Sequence, residues 1–165
     1  MKKEQENLRE HLIDMLRGFD SGFLVTESQE GVLHGRPMTV ACVKDDGTLY
    51  FAANLQSPKV KQLETDPTVG VFFQKGQRWV SLSGVAVVSH NRVLTDELWS
   101  ETWKVWFPKG KSDPDLCLLE VTPKSGEYWD QNGAEGIQYF FEAVKAYFTG
   151  EPPAHDSDRN AKVAL

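Results

Sequence analysis

Arginine, lysine, serine and asparagine gather in one stretch of the chain in a pattern suited to an anion. Arg36 opens a run rich in β-branched and apolar residues, while Asn54, Ser57 and Lys59 span the end of a second run and the start of a helical turn. A phosphate is well held where a helix begins, because the first amides have no partner within the helix and the aligned peptide dipoles leave a partial positive charge there. A serine hydroxyl and a lysine add donors, and an arginine on a paired strand closes the other side with a planar fork. The same residues also have a plainer reading, with Ser57 as an N-cap before Pro58 and with Lys59 and Lys61 as a solvated helix face. Spacing alone leaves both readings open.

Other chemistries find little support. There is no GxSxG, Walker A, GxGxxG or HExxH segment. His11, His34, His90 and His155 are dispersed and read as exposed or capping residues rather than as a shared metal site. Cys42 and Cys117 lie in the apolar runs VACV and LCLL, where a thiol behaves as a small hydrophobe. Their lack of CxxC spacing, and a charged start, MKKEQENLRE, without an apolar signal core, place the protein in the reducing cytoplasm as an expectation. No apolar run approaches the roughly 20 residues of a membrane span. With 18 Lys+Arg against 24 Asp+Glu the net charge is −6, which argues against nucleic acid and anionic membranes as partners. A local cationic pocket for a small anion remains compatible with that balance.

The elements that must position these residues are short. Residues 3–19 carry Leu8, Leu12, Ile13, Leu16 and Phe19 at helical spacing. GFLVTE, RPMTVACVK and TLYFAAN read as strands, with Asp46-Gly47 as the turn between the second and third. A short helix starts at Pro58, and strands follow over 69–73 and 78–89, with Gly84 marking a bulge or a close backbone approach. Residues 91–107 read as one helix capped by Thr95, which sets Trp99, Trp103 and Trp106 on one stripe. Residues 116–129 read as two short strands broken at Thr122-Pro123, residues 136–148 as a last helix, and 151–165 as a flexible tail. The 165 residues make one domain, 1–150, with one core. Close-spaced strands without βαβ alternation predict a mainly β, α+β class: a six- to seven-stranded antiparallel barrel with flanking helices.

The runs LHGRPM, TLYFAANLQSPKVKQLETDPTVGVFF and RWVSLSGVAVV, in that order and spacing, resemble the pyridoxamine 5′-phosphate oxidase-like FMN-binding split-barrel superfamily. The continuation LWSETWKVWFPKGKSDPDLCLLEVTPKSGEYWD resembles its general stress protein branch. The resemblance implies a split barrel that binds FMN, with FAD also compatible, in a homodimer with flavin at the interface. It implies that Arg36, Ser57 and Lys59 reach the flavin phosphate and that Pro37, Met38 and Thr39 carry backbone past the isoalloxazine ring. Ala53 and Asn54 fall where a strand end approaches the flavin, and Trp79 falls at the position of a polar residue supplied by the second subunit. Two departures bear on activity. Ala41 stands where vitamin B6 oxidases have a lysine for the substrate phosphate, and PKSGEYWDQNG lacks their C-terminal arginine and histidine. The resemblance therefore implies an FMN-dependent oxidoreductase of another substrate, or a flavin-binding stress protein without turnover, acting as carrier or sensor. Deazaflavin or haem are the remaining ligands of this architecture, and haem would take His34 as axial ligand. The tryptophan stripe either packs on the barrel or the dimer, or Trp106-Phe107, beside KGKSDPD, walls the space above the flavin.

Overall fold

Alternating burial along short strands builds the molecule, a computed structural model describing residues 2–130 and 160–165. Helix α1 (Lys2–Arg17) turns Leu12, Met15 and Leu16 inward, and Phe19 follows it into the core. Strand β1 (Ser21–Glu27) buries Leu24 and Thr26 and exposes Phe23, the period of two expected of a half-buried strand. Strands β2 (Leu33–Val43) and β3 (Leu49–Asn54) form the hairpin read from the sequence. Its turn depends on Gly47, whose φ of 88° lies in the left-handed region, and on Asp46, whose carboxylate accepts from the Thr48 amide at 2.9 Å.

Helix α2 (Pro58–Thr65) buries Val60 and Leu63 and leads into β4 (Thr68–Lys75) and β5 (Arg78–Ser89). Helix α3 (Arg92–Leu98), β6 (Leu116–Asp130) and β7 (Asn160–Ala164) complete the described chain. The strand order is β3-β2-β1-β4-β5-β6-β7, every pair is antiparallel, and an additional β3–β6 pairing closes six strands into a barrel. Closure removes the free edges that an open sheet would present. The long β6 divides one edge between two partners: β3 takes Leu116–Val121 and β7 takes Ser125–Trp129. Leu24, Phe51, Val71, Leu82, Leu119 and Tyr128 fill the interior.

Three local expectations are corrected. The helix from Asn91 stops at Leu98, Trp99 takes φ −54° and ψ 132°, and a separate 3-10 turn covers Glu101–Val105. Trp103 and Phe107 bury together against Tyr50, Leu116 and Leu118, and this second small core redirects a chain whose local periodicity would have continued the helix. Its cap is Asn91, whose side chain accepts from the Leu94 amide at 3.1 Å, while Thr95 sits inside the helix and donates back to the Asn91 carbonyl at 2.9 Å.

At Thr122-Pro123 there is no break. Gly84 faces Pro123 and Ser83 faces Ser125, so Lys124 is the extra residue of a bulge and β6 runs on. Proline, which lacks a ladder N–H, is accommodated there, and a Cβ on Gly84 would lie 2.3 Å from the Thr122 carbonyl oxygen.

The third correction is that residues 160–164, within the expected tail, form β7 and bury Val163 against the barrel. The expected helix 136–148 lies outside the described residues.

Candidate functional site

Arg36 sits on β2 directly across from Leu24 of β1, so its stem shares the inward face of the barrel wall with Leu24 and Thr26. Its guanidinium donates from Nη1 to Thr26 Oγ1 at 2.6 Å and from Nη2 to Gln62 Oε1 of α2 at 3.2 Å. Thr26, itself buried, donates to the same Gln62 oxygen at 2.6 Å. A few ångströms of helix away, Lys59 Nζ donates to Ser57 Oγ at 3.0 Å, and Ser57 Oγ donates to the Asn54 carbonyl at 2.6 Å. Ser57 therefore holds the N-cap position by its backbone, with φ −73° and ψ 148°, but its hydroxyl makes no capping bond. The hydroxyl is spent on joining Lys59 to the end of β3.

Both cations are electrostatically uncomfortable. Burial, and then the charge of Arg36, push the Lys59 ammonium below its ordinary value, and burial lowers Arg36. Among the described residues neither has a carboxylate partner; the acceptors are hydroxyls, an amide oxygen and, through Ser57, a backbone carbonyl. Cys117 lies behind them on β6, its Sγ donating to the Ala53 carbonyl at 3.3 Å, and burial pushes its thiol up to about 11. It is a buried structural thiol rather than a nucleophile.

In front of the cations a cleft of about 330 Å³ is lined by Arg36, Pro37, Met38, Thr39, Ala52, Ala53, Asn54, Lys59, Trp103, Trp106 and Phe107. Eight sequence-derived candidates thus line one space: Arg36, Pro37, Met38, Thr39, Ala53, Asn54, Lys59 and Trp106. Ser57 joins them through Lys59. Trp79 does not line the cleft; it stands on β5 between Gln74 and Trp129. His34 is exposed and also lies outside the cleft lining, so it offers no axial ligand there.

Trp106 is 62% exposed whereas Trp103 is 3% exposed, so the stripe expected of three tryptophans separates into a buried anchor and a free wall. Trp99 and Trp103 still meet edge to face, with centroids 5.7 Å apart. Residues that the sequence did not single out are Thr26 and Gln62 behind Arg36, and Ala52 in the wall; Trp103 and Phe107, read from the sequence as a stripe member and as part of the wall, both line the cleft. Thr26 carried one signal, a polar side chain at the inward parity of an otherwise apolar strand.

A closed antiparallel barrel with a lateral cleft, backed at one end by two cations without carboxylate partners among the described residues, defines the chain as a split-barrel protein. It belongs to the pyridoxamine 5′-phosphate oxidase-like family, whose sequence model matches residues 7–154, and within it to the general stress protein branch. General stress protein 26 of Bacillus subtilis (strain 168) is 30% identical over 125 residues, covering 73% of this chain and 86% of the relative. A crystal structure described as a general stress protein 26, from Jannaschia sp. CCS1, superposes with a TM-score of 0.75 at 29% identity, covering 97% of this chain and 99% of that one. The general stress FMN/FAD binding protein of Xanthomonas citri shares the fold, with a TM-score of 0.66 at 23% identity, covering 78% of this chain and 92% of that one.

Proposed function

We propose that the protein is a flavin-binding member of this family, holding FMN in the cleft with its phosphate on Arg36 and Lys59, and with Ser57 bracing Lys59 against the end of β3. The observation that carries this reading is the pair of half-buried cations whose described partners are all neutral. A phosphate dianion supplies the charge they lack, and each charge-assisted hydrogen bond to it contributes about 1.5–3 kcal/mol. Next to them, backbone of Pro37, Met38 and Thr39 and the side of Trp106 offer a flat, largely apolar wall for a ring system. The FMN/FAD binding protein from Xanthomonas citri supports the same ligand class by likeness of fold.

Bound flavin would supply hydride and electron transfer, the chemistry that none of the described side chains of the cleft offers. Arg36 and Lys59 anchor the phosphate, β2 backbone orients the ring, and Trp106 limits access of water and of partners to one face. Arg36 and Lys59 are the only titratable groups in the described lining. The reaction we infer is an FMN-dependent oxidoreduction of a substrate other than a vitamin B6 phosphate. Ala41 supports the exclusion: it packs against the Trp103–Phe107 cluster and offers no cation for a second phosphate. The commitment of both titratable groups of the described lining to the phosphate equally favours the second reading, a cytoplasmic flavin carrier or redox sensor without turnover.

The cleft is open on its outer side, and we infer that a second copy of the chain completes it. On the outer face of the barrel Phe23 and Phe72 stand opposite one another across β1 and β4, 47% and 45% exposed. Their rings lie over Gly35 and Gly70, where an added Cβ would approach Phe23 to 2.1 Å and Phe72 to 3.0 Å. Phe23 also faces Pro37 of the cleft lining, so this apolar face runs directly into the site.

The absorption spectrum of the purified protein and titrations with FMN, FAD and riboflavin test the proposal. FMN is expected to bind with flavin bands and to exceed riboflavin in affinity. Arg36→Ala and Lys59→Ala are each expected to weaken FMN by about ten- to a hundredfold. Unchanged affinity in both variants would refute the phosphate cradle. A bound-flavin reduction by NAD(P)H no faster than that of free FMN would select the carrier reading.

A further inference from the structure

Thr26, Arg36 and Gln62 form a closed ring of hydrogen bonds that joins β1, β2 and α2. Thr26 is 1% exposed, and a buried hydroxyl needs its partners satisfied. It accepts from Arg36 Nη1 and donates to Gln62 Oε1, both at 2.6 Å, while Gln62 Oε1 also accepts from Arg36 Nη2 at 3.2 Å. The ring fixes the guanidinium plane without neutralising it, because both acceptors are uncharged. A guanidinium has five N–H donors. The ring takes one from each Nη, and the others have no acceptor among the described residues. Gln62 lies three residues beyond Lys59 on α2, on the same side of the helix, so one short helix sets the spacing between both cations. Lys59 is buttressed in the same way, by the neutral hydroxyl of Ser57.

We propose that Thr26 and Gln62 are positioning residues that hold Arg36 aimed and uncompensated, making this end of the cleft selective for a phosphate monoester dianion over the same ligand without phosphate. The inference rests on the reading of the cleft as a flavin phosphate site. The amide of Gln62 is decisive in it. A glutamate of nearly the same shape would set a carboxylate against Nη2, cancel the charge and leave the arginine in place but occupied.

The test compares full-length wild type, Gln62→Glu, Gln62→Met and Thr26→Val in titrations with FMN and riboflavin, and in thermal shifts with inorganic pyrophosphate. Gln62→Glu is expected to weaken FMN by about ten- to a hundredfold, to leave riboflavin within about twofold, and to abolish stabilisation by pyrophosphate. Thr26→Val and Gln62→Met are expected to shift FMN in the same direction by less, again sparing riboflavin, and Gln62→Met carries the comparison should Gln62→Glu fail to fold. A merely structural ring would lower both flavins together. Equal losses of the two flavins, or Gln62→Glu binding FMN as wild type does, overturns the proposal. The two readings fail separately. Wild type that binds pyrophosphate but no flavin, with the response lost in Gln62→Glu, sustains the ring and sinks the flavin site. Wild type indifferent to pyrophosphate and to both flavins sinks both.

Discussion

Lys59 carries a charge that its surroundings disfavour, and the consequence is a dependence on pH with a definite sign. Its folded value lies below the ordinary 10.5, chiefly through burial and secondly through Arg36. As pH rises from the lowered value toward 10.5, the folded chain gives up this proton before the unfolded chain does. The unfolded state then binds more protons, so this residue's contribution destabilises the fold at lower pH and is relieved as pH climbs through that window. A bound phosphate dianion reverses the preference by favouring the ammonium. FMN binding is therefore expected to take up a proton in that window and to weaken as pH climbs through it, in a calorimetric titration repeated in buffers of different ionisation enthalpy. A flat affinity with no proton uptake would contradict the assignment of Lys59. Ser57 and Lys59 were legible as a pair because a serine–lysine pattern at a strand-to-helix junction is contiguous, and Arg36, on another strand, was tied to them by the family resemblance. Thr26 and Gln62 were not, since a threonine in a strand and a glutamine on a helix say nothing of whom they meet, and their partner Arg36 lies 10 and 26 residues away.

Among the elements, the segment after α3 departs furthest from its local periodicity. Trp99, Trp103 and Trp106 have helical spacing, yet the chain breaks at Trp99 and turns through a 3-10 segment. This lets Trp103 and Phe107 bury while Trp106 stays in the cleft wall. The two tryptophans should therefore answer differently to truncation. Trp103→Ala removes a fully packed indole and is expected to cost about 3–5 kcal/mol in urea denaturation. Trp106→Ala is expected to cost less than about 1 kcal/mol while altering the affinity and fluorescence of bound FMN. Equal destabilisation by both would place Trp106 in the core instead. The bulge at Gly84 could be read because a glycine interrupts an otherwise continuous strand. Its partner Pro123 misled the reading, because a proline looks like a strand end until the neighbour across the ladder is known to tolerate it.

At the scale of the molecule, one cleft and one apolar face adjoin, and the proposed second copy joins them. Phe72→Lys puts a charge in the centre of that face without touching the cleft lining or the core. It is expected to yield a folded monomer in sedimentation, with FMN affinity reduced although Arg36 and Lys59 are intact. A variant that remains a dimer with full FMN affinity would move the interface elsewhere.

The sequence by itself determined the mainly antiparallel class, the β2–β3 hairpin with Gly47 at its turn, α1 with its apolar face, and the cation–hydroxyl cluster at the start of α2. Each is written in neighbouring residues through turn chemistry, parity and helical spacing. Only the tertiary structure decided that β3 pairs with β6 to close the barrel, that 160–164 adds a strand to β6, and that the tryptophans divide between core and cleft. It also decided that Arg36 leans on neutral partners from two other elements. Those outcomes depend on which distant surfaces meet and on the burial gained when they do. Local pattern carries no record of either.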